Sequence, residues 1–162
     1  VLDCRAQVLI LKMAPRVRRS APGLDFSGLQ RVKIHVTPSY TLYVDVRLNG
    51  RRARLMVDTG AFATTLQRRF LQGMKIPLRA SAYTSWGVNM KERDVHVAMI
   101  SRFSVGPVEM RDKQVGVTNL DELFYNDTPD SKLPIAGLLG PEILRHHNGI
   151  IDFGTRTLYL KR

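Results

Sequence analysis

The dipeptide Asn49-Gly50 lies between two segments in which apolar and polar residues alternate, Tyr40 to Leu48 and Arg51 to Val57. Asn-Gly is the pair most typical of a two-residue β-turn, because that turn needs a positive φ at both positions. Alternation of this kind indicates strands with one buried face. The two segments are therefore predicted to form a β-hairpin, which favours a β-type fold.

Glycines and prolines separate short apolar stretches along the rest of the chain. The pattern predicts strands at about residues 32–37, 41–48, 52–58, 77–85, 92–105, 107–117, 135–139, 148–152 and 156–161. Short helices are predicted at about 65–72, 119–125 and 141–146. So many short strands imply a closed or sandwiched β-barrel. A length of 162 residues with 44% hydrophobic content suits about one domain.

The second strand of the hairpin runs into Asp58-Thr59-Gly60-Ala61. An acidic residue at the end of an apolar strand needs a reason beyond packing, but Asp and Gly also favour ordinary turns, so the tripeptide alone is a weak signal. Downstream, the apolar stretch Ile135–Leu139 meets Gly140, and Pro141 stands at the predicted first position of a short helix. The order of these segments along the chain is a more specific signal than any single segment.

In that order and spacing, the pieces resemble the retropepsin-like aspartic peptidases, and their bacterial single-domain members more than the viral enzymes. The matching pieces are the hairpin, the segment Val57 to Ala61, the apolar-apolar-Gly element Leu138-Leu139-Gly140, and a tail that runs from Gly149 to a closing strand ending at Leu160. The resemblance covers about residues 31 to 161 and implies a closed β-barrel that carries half of an active site.

The resemblance implies a homodimeric endopeptidase in which Asp58 faces its own copy, with a polypeptide as substrate and no metal or cofactor. Amide hydrolysis without a metal needs both a base and an acid. Two carboxylates about 3 Å apart would repel by roughly 5.5 kcal/mol at an effective dielectric constant of 20, so the pair should share one proton. One carboxylate would then activate water while the other donates a proton to the carbonyl.

Other site residues follow from the same resemblance. The Thr59 hydroxyl is expected to bond across the dimer axis, and Gly60 is expected to let the backbone approach carboxylates and substrate, with Ala61 completing the loop. The element Leu138 to Gly140 is expected to pack beneath this loop. A hairpin tip at residues 83–90, with Trp86 and Gly87, corresponds to the flap that closes over substrate, although Trp86 also suits an ordinary packed position.

One position pair departs from the viral pattern. Viral members carry an acidic residue after Asp-Thr-Gly-Ala and an arginine after the later glycine, and the two pair with each other. Here those positions hold Phe62 and Pro141. Both partners are missing together, which leaves open how this chain braces its loop and contacts substrate.

The chain has one Asp-Thr-Gly motif and is too short for the two-lobed pepsin architecture. The nearest second candidate, Asp152-Phe153-Gly154, is predicted to be the turn of the last hairpin. Two alternatives to the enzyme remain: a catalytically weak or silent module that keeps the fold and dimer and binds peptides by strand addition, and a basic nucleic-acid-associated β-barrel. An intact Asp58 favours the enzyme.

Charge is the second unusual property of the chain. Lys and Arg total 25 against 14 acidic residues, a formal net charge of +11. Such an excess can attract nucleic acid, anionic membrane surfaces or acidic proteins. The basic residues are spread along the chain rather than interleaved with aromatics, so a solvated basic surface is predicted and no specific nucleic acid is expected.

Residues 1–30 differ from the predicted domain at 31–162 and are interpreted as an arm or linker that could add an edge strand to the fold or to the dimer. Its apolar run, Val8 to Leu11, is far too short to span a bilayer, and Arg16 to Arg19 is strongly basic. A targeting or membrane segment removed upstream would place the protein near a membrane. The compartment is otherwise open; for a bacterial protein, the periplasm or a membrane is favoured over the cytoplasm.

The remaining chemistry-bearing residues predict no site. A lone Cys4 leaves the redox compartment open. No cysteine or carboxylate cluster has metal-ligand spacing, and adjacent histidines on a helix do not share a face, so no metal site is expected at the four histidines His35, His96, His146 and His147.

Overall fold

The computed structural model describes residues 1–10, 25–86, 92–124 and 132–162, with the backbone alone for 82–86 and 92–94. Its strands are β1 Leu2–Asp3, β2 Val8–Leu9, β3 Leu29–Val36, β4 Leu42–Leu48, β5 Arg51–Val57, β6 Thr65–Gln67, β7 Arg79–Trp86, β8 Glu92–Val105, β9 Val108–Thr118, β10 Ile135–Leu139, β11 Ile150–Asp152 and β12 Thr157–Lys161. Its helices are α1 Arg68–Gln72, α2 Asp121–Phe124 and α3 Pro141–His146.

Six strands close into a barrel. Around the ring, β4 pairs with β5, β5 with β10, β10 with β6, β6 with β9, and β9 with β8, and β8 returns to pair with β4. Closure removes the free edges that an open sheet of these strands would expose. The predictions of a mainly β fold, a closed barrel and short helices are confirmed.

The barrel interior is filled by aliphatic side chains from every strand of the ring. Completely or almost completely buried members include Val46, Leu55, Leu66, Ile100, Val117 and Leu139. Burying a side chain of this size contributes about 1.5–3 kcal/mol. The Asn49-Gly50 hairpin is present as predicted, with Val44 opposite Leu55 in its ladder.

A five-stranded extension continues from the barrel through β3, β12, β11, β1 and β2. Within it, β1 pairs with β11, Leu2 lying opposite Ile151, so the start of the arm extends the sheet of its own chain. Residues 11–24, which include the basic run Arg16 to Arg19, lie outside the described residues. Across the described residues, no helix has the length and apolar composition needed to cross a lipid bilayer.

The predicted helix at 65–72 was wrong in its first turn. Thr65 to Gln67 form strand β6, which lies between β10 and β9, and helix α1 starts only at Arg68. Leu66 is completely buried opposite Gly137, and the Gln67 side chain caps the helix by accepting from the Arg68 N–H at 3.1 Å. Ladder pairing thus prevails over helix propensity at these three residues.

Candidate active site

Asp58 follows the last residue of β5, a strand flanked inside the barrel by β4 and β10. Strands β5 and β10 run parallel, with Leu139 opposite Val57. The ladder continues past the strand end, because the Asp58 N–H donates to the Leu139 carbonyl oxygen at 3.0 Å. The backbone of Asp58 is therefore held by the barrel wall although the residue itself stands in a turn.

The Asp58 carboxylate is only partly engaged. Its Oδ1 accepts from the Gly60 N–H at 2.9 Å, and it has no ion-pair partner among the described residues. Asp58 is half-buried, while Thr59 and Gly60 are exposed. The Thr59 hydroxyl has no hydrogen-bond partner within the described part of its own chain. Asp58 and Thr59 are thus adjacent residues whose carboxylate and hydroxyl groups retain unused hydrogen-bonding capacity within the described part of the chain.

The surroundings of Gly60 in the single chain leave room for a side chain. A Cβ built there would approach Asp58 Oδ1 at 3.4 Å, an ordinary contact. Nothing inside the described part of the single chain therefore requires a glycine at this position. Ala61 is half-buried and packs against a small apolar cluster made by Leu120, Phe124 and Leu138.

The element Leu138-Leu139-Gly140 lies directly beside the Asp58 loop. Leu139 is completely buried in the barrel, and the Gly140 N–H donates to Thr64 Oγ1 at 2.9 Å. A Cβ on Gly140 would collide with the backbone of Ala63 and Thr64. Only glycine can lie this close to the loop, so the predicted apolar-apolar-Gly element has a steric reason in this chain.

Glu142 was missed by the sequence analysis, although it contacts the same loop. Both of its carboxylate oxygens accept from the Thr64 N–H, at 3.1 Å for Oε1 and 3.0 Å for Oε2. Lys113 Nζ lies 3.3 Å from Glu142 Oε1. Glu142 thereby ties helix α3 and strand β9 to the end of the Asp58 loop. An acidic residue in the first turn of a helix was visible, but its partner 78 residues away was not.

The environment of Glu142 acts on its pKa in opposite directions. Burial is the largest single influence and raises the pKa, but the hydrogen bonds from Thr64 and the Lys113 ammonium together outweigh it. The net result is a pKa below the usual 4.5. Glu142 is therefore ionised at neutral pH, as its two acceptor roles require.

The two positions that differ from the viral pattern lie on the Asp58 loop and at the start of helix α3. Phe62 is 93% exposed on the loop after Asp58, and Pro141 is the first residue of α3, directly after its cap Gly140. An apolar ring and a proline cannot form the ion pair of the viral enzymes. The loop and the helix are instead linked by the hydrogen bond from the Thr64 N–H to Glu142, the residue after Pro141.

The predicted flap falls at the limit of the described residues. Strands β7 and β8 form an antiparallel hairpin, with Trp86 opposite Glu92 and Ser85 opposite Arg93. Gly87 lies outside the described residues, and only the backbone of Trp86 is described. The structure thus contains the two strands of the hairpin and places Trp86 at the end of one of them.

Asp152 ends strand β11 and is completely buried. Its Oδ1 accepts from the N–H groups of Gly154 at 2.9 Å and Thr155 at 3.3 Å, and its Oδ2 accepts from the Thr155 hydroxyl at 2.9 Å. These bonds close the turn between β11 and β12. Asp152 is a turn-forming carboxylate, in agreement with the sequence analysis.

The four histidines occupy three separate parts of the fold, because His146 and His147 are neighbours at the end of α3. His35 lies against Asp45 and Arg54, and its pKa is lowered by burial and by the Arg54 guanidinium. His147 Nδ1 lies 2.8 Å from the Lys161 carbonyl oxygen. Within the described ranges, no three His, Cys, Asp or Glu side chains come together as metal ligands would.

Comparison with known proteins places this geometry in a family. A family model described as aspartyl protease matches residues 44–143, which include Asp58 and the Leu138-Leu139-Gly140 element. No curated protein sequence matches the chain.

Solved structures show the same fold. A retropepsin-like aspartic protease from Rickettsia conorii superimposes with a TM-score of 0.57 at 19% sequence identity, over 82% of this chain and 90% of that one. Weaker likenesses are the EIAV protease complexed with the inhibitor HBY-793, with a TM-score of 0.47 at 15% identity over 64% and 85% of the two chains, and the retroviral protease-like domain of Ddi1 from Leishmania major, with 0.47 at 15% over 74% and 87%. The superposition on the Rickettsia conorii protein shows that the fold is retropepsin-like.

Proposed function

Because this chain belongs to the aspartyl protease family, we propose that it is one subunit of a homodimeric aspartic endopeptidase whose two Asp58 side chains hydrolyse peptide bonds. The observation that carries the proposal is the state of the Asp58 carboxylate. It is held at the rim of the barrel by Leu139 and Gly60, it is half-buried, and it has no ion-pair partner among the described residues. A carboxylate kept for structure alone would be expected to use its free oxygen.

One carboxylate cannot supply both proton transfers that amide hydrolysis needs. A twofold axis beside Asp58 supplies the second, since each residue then meets its own copy. At about 3 Å the two negative charges repel by roughly 5.5 kcal/mol at an effective dielectric constant of 20. The pair therefore holds one shared proton between two macroscopic pKa values, as in aspartic proteases generally.

Because the pair shares one proton, one carboxyl group acts as the base and the other acts as the acid. The ionised Asp58 takes a proton from water, and the water oxygen attacks the peptide carbonyl carbon. The protonated Asp58 of the other copy donates to the carbonyl oxygen, which forms a tetrahedral diol. The carboxyl group that took the proton from water then gives it to the leaving nitrogen, and one diol hydroxyl gives its proton to the other carboxylate as the C–N bond breaks. The products are a carboxylic acid and an amine, and the pair again holds one proton.

Thr59 and Gly60 act on the geometry of this pair. The Thr59 hydroxyl, which lacks a partner within the described part of its own chain, is available to the other copy. The Gly60 N–H orients Asp58 Oδ1 at 2.9 Å. In the proposed dimer, Gly60 is small because the second copy and the substrate backbone approach it, since its own chain leaves room for a Cβ.

The substrate is a polypeptide in an extended conformation. The hairpin of β7 and β8 offers strand edges to which such a segment can add by main-chain hydrogen bonds. Trp86 and Gly87 are proposed as the tip that covers the bound segment. Leu138, Leu139 and Gly140 support the loop from below.

The experiment is to measure hydrolysis of a peptide library over a series of protein concentrations, with sedimentation on the same samples. Specific activity should fall as the dimer dissociates. Mixing wild-type chains with equal amounts of Asp58→Asn chains should leave about one quarter of the dimers with two carboxylates, half of what simple dilution predicts. A fully active monomer would contradict the shared site. A stable dimer without hydrolysis would favour the silent peptide-binding module.

A further inference from the structure

Two aromatic side chains stand out on the described surface. Among the described residues, Phe62 and Tyr40 are the most exposed large apolar residues, at 93% and 85%. Scattered apolar residues are normal on a protein surface, but two aromatic rings exposed almost completely are unusual, since each leaves much apolar area in water. If the two residues lie near each other in the fold, they can belong to one interaction surface.

Both residues lie at the Asp58 end of the barrel. Phe62 is on the loop that follows Asp58. Tyr40 is in the turn between β3 and β4, and strand β4 runs antiparallel to β5 with Tyr43 opposite Met56. The turn that carries Tyr40 is thus at the same end of the β4–β5 pair as the Asp58 loop, to which Phe62 belongs.

The turn that carries Tyr40 is firmly built. Tyr40 has a φ of +65°, a conformation that is strained for a bulky side chain. Its N–H donates to the Thr37 carbonyl oxygen at 2.9 Å, and the Thr41 N–H donates to Thr37 Oγ1 at 3.1 Å. Thr37 itself is buried. The turn thus holds the exposed Tyr40 ring at a conformational cost of about 1–2 kcal/mol.

The two segments that carry Tyr40 and Phe62 contain no lysine or arginine of their own. The chain has 25 lysines and arginines, yet none occurs in residues 37–46 or in residues 55–67. These are the two segments that carry Tyr40 and Phe62. A chain with a net charge of +11 repels its own copies, and contact through segments without basic residues lowers that repulsion.

We propose that Tyr40 and Phe62 are the apolar contacts through which a second copy of this chain docks around the Asp58 loop. The proposal rests on the homodimeric function proposed above, because that function requires a copy at this end of the barrel. A twofold arrangement presents each ring twice, which gives four aromatic side chains around the shared site. Aromatic anchors of this kind contribute most of the affinity in many interfaces.

The test is the dimer dissociation constant of Tyr40→Ser and Phe62→Ser, measured by sedimentation equilibrium on the full chain. Each substitution changes both copies, and each is expected to raise the dissociation constant at least tenfold. The exposed side chains contribute little to folding of the monomer, so circular dichroism and thermal unfolding at low concentration should match wild type. At protein concentrations above the raised constant, turnover per dimer should return.

Met99→Ser is the matched control, because Met99 is also apolar and exposed but lies on strand β8 rather than on either connection. It should leave dimerisation unchanged. Leu9→Pro tests the other candidate interface, the exposed edge strand β2. Weaker dimers from Leu9→Pro with unchanged dimers from Tyr40→Ser and Phe62→Ser would overturn the proposal.

The two proposals fail in different ways. Dimers that are equally strong in wild type and both variants, with normal hydrolysis, refute the aromatic contacts and leave the protease intact. A raised KM in the variants without a change in dimerisation assigns the rings to substrate binding instead. Aromatic-dependent dimers that hydrolyse nothing support this surface and refute the protease. A wild-type chain that is monomeric at all concentrations refutes both.

Discussion

Two turns of this molecule begin with the same chemistry and end in opposite states. Asp58-Thr59-Gly60 follows β5, and Asp152-Phe153-Gly154 ends β11; in each, an acidic residue at a strand end is followed two positions later by glycine. In each, the glycine N–H donates to Oδ1 of the aspartate at 2.9 Å. Up to this bond the two turns are equivalent.

They differ in what the second carboxylate oxygen meets. Asp152 is completely buried, and its Oδ2 accepts from the Thr155 hydroxyl at 2.9 Å. Asp58 is half-buried, and the residue at the corresponding position after Gly60 is Ala61, which has no donor side chain. A hydroxyl three residues after Asp152 therefore engages its second carboxylate oxygen in the turn, whereas Ala61 offers no such donor to Asp58.

The largest effect that tests this comparison is expected from Asp58→Asn. The amide oxygen can still accept from the Gly60 N–H, so the turn is kept while the proton transfer is lost from both copies. Hydrolysis should fall by about 10³-fold or more with unchanged unfolding. Turnover and thermal unfolding of the purified dimer measure the two quantities. Near-wild-type turnover would rule out Asp58 as the reacting carboxylate.

The matched change in the other turn is Asp152→Ala. It leaves the N–H groups of Gly154 and Thr155 without an acceptor inside the last hairpin, so we expect a loss of about 2–4 kcal/mol in the free energy of unfolding. Activity per folded dimer should be retained. Urea unfolding with active-site titration separates the two effects. Loss of turnover in a fully folded variant would place Asp152 in the reaction.

A smaller effect is expected at the base of the Asp58 loop. Glu142→Ala leaves the buried N–H of Thr64 without its acceptor, a cost of about 1–3 kcal/mol. Glu142→Gln keeps an acceptor oxygen for Thr64 and loses the attraction to Lys113, so its cost should be lower. Urea midpoints of both variants test the order. Equal midpoints for wild type and Glu142→Ala would mean that this contact does not brace the loop.

The smallest effect concerns pH. The pKa of Glu142 is lower in the folded protein than its usual 4.5, so its stabilising contribution is complete above that value and is lost as the pH falls through the folded pKa. The stability difference between wild type and Glu142→Gln should be constant from pH 7 to about 5 and should shrink towards pH 3. Unfolding midpoints at these three pH values provide the measurement. A difference that grows in acid would contradict a lowered pKa for Glu142.

Much of the fold followed from local patterns. The Asn49-Gly50 turn indicated the first hairpin, alternation indicated most strand positions, and the Gly140-Pro141 pair marked the start of α3. These predictions succeed because each depends on residues that are neighbours in sequence. Thr65 to Gln67 failed for the opposite reason: their strand exists only because β9 and β10 lie on either side of it.

The same limit applies to the candidate site. The motif pointed to Asp58 and to Leu138-Leu139-Gly140, and the structure brings these segments together. Glu142 could not be found, since its bond to Thr64 depends on the spacing of α3 and the loop in the folded barrel. Exposure of Phe62 and Tyr40 was equally invisible, because an aromatic residue in a sequence is more often in a core than on a surface.

The parallel pairing of β5 with β10 determines when the Asp58 loop can take its final position during synthesis of the chain. The bonds that position the Asp58 loop join Thr64 to residues 76 and 78 positions further on, Gly140 and Glu142. Contacts between such distant parts of a chain form late in folding. The chain must therefore emerge from the ribosome beyond helix α3 before Thr64 can form these bonds. A chain truncated before β10 lacks both partners of Thr64, so its Asp58 loop cannot take the position described above.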